Sequence, residues 1–233
     1  MKYCVADIVF TMSPDDITKK QAEKYLYFDN TVPEFHIEPS GMDNYIRNNI
    51  EVDFASYQYL TMCGRFSREL LRYSGIYLHA SAVVVENKAY LFSAVSGTGK
   101  STHTGKWLEL FGESAYILND DKPVIRVLED GIYAYGTPWS GKHDISVNKK
   151  VPLQAICFIE RDTANWVKPI DEQEATIRMY HASLKKLTSE QLSKQMDIIE
   201  QIINRIPVYR MGCTPTIDAA QMAYDVMSKG EVK

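Results

Sequence analysis

The sequence predicts an α/β fold, a mixed sheet with a phosphate-binding loop, preceded by a β-rich N-terminal appendage. Three observations carry this reading. The apolar run Ala89-Tyr90-Leu91-Phe92 leads into Ser96-Gly97-Thr98-Gly99-Lys100-Ser101-Thr102, and a helical pattern follows. The strand-like runs at residues 76–85 and 89–94 are separated by so few residues that they pair only as an antiparallel hairpin. Doubly wound nucleotide folds instead enter such a loop from crossover strands, so this sheet is expected to be mixed.

The elements follow in chain order. Residues 3–12 favour one strand, which Ser13-Pro14-Asp15-Asp16 breaks. Residues 17–49 are polar and interrupted by Pro33, Pro39 and Gly41, predicting a loosely packed set of short strands and loops. Leu70 and Leu71 suggest a short helix over 67–73, closed by Ser74-Gly75. After the hairpin, Trp107, Leu108 and Phe111 mark one side of a helix over 102–111 that Gly112 ends. Strand runs follow at 115–118, 123–128, 131–135 and 153–159, with a hairpin turn at Glu129-Asp130-Gly131. Thr188 to Gln191 has the form of a capping box, and Leu192, Met196, Ile199, Ile203 and Ile206 continue it as an amphipathic helix. An edge strand at 207–211 and a helix over 218–227 complete the chain.

A chain of 233 residues buries one substantial core with a smaller appendage, and the division falls at 1–74 and 75–233. A net charge of −4 argues against a nucleic-acid or anionic-membrane partner. No apolar stretch is long enough to span a bilayer, so a cytoplasmic protein is expected. Cys4, Cys63, Cys157 and Cys213 show no paired ligand spacing and read as reduced small hydrophobes.

The chemistry begins at the loop. Glycines let successive N–H groups converge on one centre, and the following helix adds the positive end of its dipole. Ser96, Gly97, Thr98, Gly99, Lys100, Ser101 and Thr102 are thus the nucleotide-binding set for ATP. Lys100 supplies charge for the β- and γ-phosphates, and the Ser101 hydroxyl is placed to ligate Mg²⁺. Ala94 stands where the usual pattern begins with glycine, so the first turn must accommodate a Cβ. Downstream, Ile117-Leu118-Asn119-Asp120-Asp121 puts two carboxylates at the end of an apolar strand. Alone, such a pair before Lys122-Pro123 reads as a solvated turn. After a phosphate loop, it fits the acidic groups that phosphoryl transfer needs near metal and attacking hydroxyl.

The stretch Leu78-His79-Ala80-Ser81-Ala82-Val83-Val84-Val85 through Ser101, with Leu118-Asn119-Asp120-Asp121, resembles the core of HPr kinase/phosphorylases in the phosphoenolpyruvate carboxykinase-like superfamily. Tyr135 to Lys142, Val151-Pro152-Leu153 and Ile159-Glu160-Arg161 are further similar to a branch of small stand-alone HPr-kinase-like proteins, some encoded with peptide-natural-product or other modification systems. The likeness runs from about Gly75 to Met227. It implies an ATP- and Mg²⁺-dependent kinase acting on a hydroxyl, serine-like, of a peptide, protein or small metabolite. Asp120 takes the position of the proton acceptor, Asp121 that of a metal ligand, and His79 that of the active-site histidine. Gly136 to Lys142 replaces the acidic, glycine-rich signature of true HPr kinase/phosphorylases, so neither HPr recognition nor phosphorylase activity is implied.

Lys142 is long enough to reach transferred phosphate, and Trp139 beside it stacks or fills space. Arg161 offers a bidentate phosphate clamp or, more ordinarily, an exposed ion pair with Glu160 or Asp162. The helix after Thr188 packs on the core, and the resemblance allows it a subunit contact in a homo-oligomer. Two other readings compete: a carboxykinase-like enzyme, for which the chain is short, and an inactive nucleotide-binding accessory protein, which Ala94 favours and the intact Lys100, Ser101, Asp120 and Asp121 oppose.

Overall fold

The computed structural model describes residues 1–47 and 51–230. The expected single strand over 3–12 is a hairpin, β1 (Lys2–Val5) and β2 (Ile8–Met12). Ala6 and Asp7 between them have φ of 54° and 60°, the backbone of a tight two-residue turn. Ala-Asp lacks the Asn-Gly signature of such turns, which hid the break. The stretch expected as loose strands and loops contains α1 (Asp16–Gln21), β3 (His36–Ile37) and α2 (Met42–Arg47), and its residues 48 and 49 lie outside those described. The short helix expected over 67–73 begins much earlier, as α3 (Phe54–Leu70), where the Asp53 side chain accepts from the Ser56 N–H. Its buried face of Tyr59, Met62, Cys63, Phe66 and Leu70 has helical spacing, but Gly64 and Ser67 on the same side dilute the signal.

Among the described residues the main sheet has nine strands: β4 (Gly75–Tyr77), β5 (Ala80–Val85), β6 (Lys88–Ser93), β7 (Ala115–Asn119), β8 (Val124–Leu128), β9 (Gly131–Tyr135), β10 (Lys150–Arg161), β11 (Trp166–Pro169) and β12 (Val208–Cys213). Its main path runs β4-β8-β9-β10-β6-β5-β7, with β12 also pairing β10. As expected, β5 and β6 form an antiparallel hairpin, turned through Glu86 and Asn87 at φ 50° and 59°, and the sheet is mixed. β10 runs parallel to β6 and β12 after an antiparallel start against β9, which curls the sheet. Pro207 to Met211 was expected at an edge. In fact β12 lies between β10 and β11, since Pro207 stands just outside the ladder and its carbonyl accepts from the Ile156 N–H.

Helices cover both faces. α4 (Lys100–Phe111) and α7 (Ile217–Met227) pack on the side of Val83, Tyr90 and Phe92. α5 (Glu172–Ala182) and α6 (Ser189–Ile203) pack opposite, on the side of Ala82, Val84 and Leu91. The alternation along β5 divides these cores. α6 carries the expected capping box, with Thr188 and Gln191 exchanging hydrogen bonds. A third core joins Tyr3, Phe10 and Phe66 of the N-terminal part to Val124, Tyr135 and Trp139.

Candidate functional site

β6 ends at Ser93, and residues 94–99 form the turn into α4. Gly97 and Gly99 have φ of 79° and 120°, conformations that residues with a Cβ resist. Ala94 needs no such backbone, and its carbonyl accepts from Lys100 Nζ at 3.0 Å, so the Cβ is accommodated. Gly99 has no side chain to cap α4, which leaves the first-turn N–H groups and the positive end of the dipole facing the space above. Lys100 itself is buried. Burial lowers its ammonium below the usual range, while Asp121 and Asp120 oppose that shift.

That space is an open cleft of about 430 Å³. The turn contributes Ser96, Gly97, Gly99, Lys100, Ser101 and Thr102, and the opposite wall contributes His79, Asp120, Asp121 and Lys142. Residues from four separate parts of the sequence therefore meet there. Thr98 and Arg161 stand outside it: Arg161 donates from Nε to the Thr98 carbonyl at 3.1 Å and from Nη2 to the Gly97 carbonyl at 2.5 Å. Its guanidinium thus braces the turn from behind.

The acidic pair sits just past β7. Asp120 Oδ1 accepts from the Ser81 hydroxyl at 2.6 Å, and Ser81 in turn contacts the Thr104 hydroxyl on α4 at 2.9 Å. Asp121 Oδ1 receives His79 Nε2 at 3.3 Å, and its Oδ2 pairs with Lys122. Burial raises the Asp121 carboxyl, but the His79 hydrogen bond and the Lys122 charge outweigh it and hold the group below the usual carboxylate range. Asn119 fixes the bend: its Oδ1 accepts from the backbone N–H of Asp121 at 2.9 Å and of Lys122 at 2.7 Å. Its Nδ2 donates to the Thr137 carbonyl at 3.0 Å.

Residues 140–143 close one end of the cleft. Trp139 does not face it: the indole is buried, with its ring 5.0 Å from Phe66, and fills space. Gly141 has φ +77°, and a Cβ there would stand 3.1 Å from Asp121 Cβ, so this backbone lies flat against the carboxylate. Its carbonyl accepts from Gln21 Nε2 at 2.9 Å and its N–H donates to the Tyr59 hydroxyl at 3.2 Å. Lys24 pairs with Asp144 at 3.1 Å. Lys142 and His143 are exposed at the rim.

Sequence reasoning missed Ser81, Asn119, Gln21 and Tyr59. Ser81 had a signal, because residues two apart on a strand share a face and His79 was already singled out. Gln21 and Tyr59 had none, since they lie 120 and 82 residues from Gly141.

A profile of the family described as SynChlorMet cassette protein ScmC matches residues 46–216, well over half of the chain. No curated protein matches. Among solved structures, the Hpr(Ser) kinase/phosphatase from Coxiella burnetii is 10% identical, with a TM-score of 0.30 over 55% of this chain and 90% of that one. The chain belongs to the ScmC family.

Proposed function

We propose that this ScmC family member is an ATP-dependent phosphotransferase that moves the terminal phosphoryl group to a hydroxyl, serine-like, on a peptide, protein or small metabolite. The observation that carries the reading is the convergence of Lys100, the uncapped start of α4 and the Asp120–Asp121 pair on one cleft. Phosphoryl transfer asks a protein chiefly for positioning and charge, and this wall supplies both. The turn's N–H groups and Lys100 bind the phosphates. Asp120 accepts the acceptor's proton on Oδ2, because Oδ1 is already occupied by the Ser81 hydroxyl. His79 and Lys122 orient Asp121, and Lys142 at the rim meets the transferred group.

Apart from the imidazoles of His79, which is engaged by Asp121, and of His143 at the rim, the donors lining the cleft are hard oxygens, the Asp120 and Asp121 carboxylates and hydroxyls including that of Ser101, and these suit Mg²⁺. Asp121 and Ser101 are the residues that would hold it. When bound, the ion neutralises charge on the phosphates.

The test is label transfer from γ-labelled ATP, with Mg²⁺, to a panel of hydroxyl-bearing peptides and metabolites, alongside calorimetric binding of Mg·ATP. Wild type should bind and transfer, while Lys100→Ala should bind about tenfold more weakly, since a charge-assisted contact to phosphate is worth about 1.4 kcal/mol or more. Equal affinity in wild type and Lys100→Ala would refute the assignment of the turn. Binding with no transfer to any acceptor would favour the accessory-protein reading.

A further inference from the structure

The chemistry above uses one side of the 94–99 turn. On its other side a second hollow, of about 560 Å³, opens beyond the carboxyl ends of β6 and β10 and against the end of α5. His79 borders both spaces. β6 and β10 are adjacent and parallel, and the chain leaves them in opposite directions. From β6 it passes through α4 to β7; from β10 it passes through β11, α5 and α6 to β12. The two crossings cover opposite faces of the sheet, as the separate cores around α4 and around α5 and α6 record. Diverging connections of this kind leave a crevice outside the strand ends, where open α/β sheets take their ligands.

The direction of a bound nucleotide then follows from the sheet order. Asp120 and Asp121 follow β7, which lies beyond β5, whereas the hollow lies toward β10. With the terminal phosphate held by Lys100 and the turn N–H groups on the side of the acidic pair, where the proposed cation and acceptor hydroxyl meet it, the rest of the nucleotide leaves across the turn toward β10. The walls there suit a planar ring. Ala94, Val95 and Ile159 are apolar, and the Arg178 guanidinium lies 5.7 Å from the Phe158 ring centroid, held by Glu160 at 2.8 Å and Glu174 at 2.7 Å.

The geometry points to this hollow as the pocket for the base and ribose of the nucleotide, with the acceptor entering from the Lys142 side. The inference rests on the phosphotransferase reading.

The experiment compares Mg·ATP with Mg·tripolyphosphate, which keeps the phosphates and lacks the nucleoside, by calorimetry on the full chain. Ala182→Leu enlarges a residue lining the hollow, and His181→Ala removes an exposed ring from it, a change that leaves the core intact. His181→Ala should weaken ATP by about 3–10-fold if it forfeits a ring contact of ordinary strength, and Ala182→Leu by more. Tripolyphosphate should bind all three proteins alike. Unchanged ATP affinity in both variants, or equal losses for ATP and tripolyphosphate in folded protein, would overturn the inference. If wild type binds both ligands, any such failure belongs to the pocket alone; if it binds neither, the phosphotransferase reading fails first and takes the pocket with it.

Discussion

His103, one turn into α4, offers a quantitative test of how firmly the helix that begins at Lys100 is seated. The imidazole is buried, its ring lies 4.6 Å from that of Phe92, and its Nε2 accepts from Trp107 Nε1 at 3.1 Å. Burial pushes its pKa from the usual 6.5 down to about 4. The folded protein therefore keeps this ring neutral at pH values where the unfolded chain protonates it. Between pH 6.5 and 4 the unfolded state binds the extra proton, so stability falls as pH falls through that window and the loss levels off below it. At about 1.4 kcal/mol per tenfold difference in proton affinity, the full effect is about 3 kcal/mol. For a chain of this size that corresponds to roughly 6–12 °C in melting temperature. His103→Gln keeps an acceptor for Trp107 but cannot take up the proton. Denaturant unfolding at pH 7 and pH 4 should show wild type losing about 3 kcal/mol more than the variant. Equal losses would mean that the ring is hydrated in the folded state and that α4 is not packed closely over it.

Asp120→Asn should retain Mg·ATP binding and lose about 10²–10⁴-fold in turnover, the usual worth of a general base, whereas Asp121→Asn should raise the Mg²⁺ concentration needed for half-maximal rate. Titrating Mg²⁺ at saturating ATP separates them; rescue of Asp120→Asn but not Asp121→Asn by excess Mg²⁺ would exchange the roles. Gly141→Ala forces a side chain into a left-handed backbone and against Asp121. It should cost about 1–2 kcal/mol of stability and impair metal use in the same Mg²⁺ titration. A variant as stable and as active as wild type would show that the 136–144 segment does not support the carboxylate.

The sequence carried the centre of the molecule better than its flanks. The hairpin entering the turn, the mixed sheet and the capping box of α6 are all written in local signals: a short turn, a run of β-branched residues, Thr188 three residues before Gln191. Motif order suggests only that Lys100 and the Asp120–Asp121 pair belong together, and His79 joins them only through the family resemblance; in the structure all four line one cleft because β5, the turn and the end of β7 are neighbours through the hairpin. What stayed hidden depends on partners far away in sequence. β12 reads as an edge because six residues cannot reveal that β11 will pair on their outer side. α3 was shortened because its buried face includes Gly64 and Ser67, which only packing against β3 and α1 makes intelligible as interior. Arg161 reads as a surface charge until the turn's carbonyls are brought to it.

The hydrogen bonds from Gln21 and Tyr59 to Gly141 tie the stability of α1 and α3 to occupancy of the cleft. A ligand that seats against residues 140–143 in the arrangement these bonds hold favours molecules with the two helices docked, so mass action draws the docked population upward as the ligand is added. The coupling also runs in reverse. A substitution that loosens α1 or α3 would be felt as weaker ligand affinity even with every residue at the reacting end unchanged.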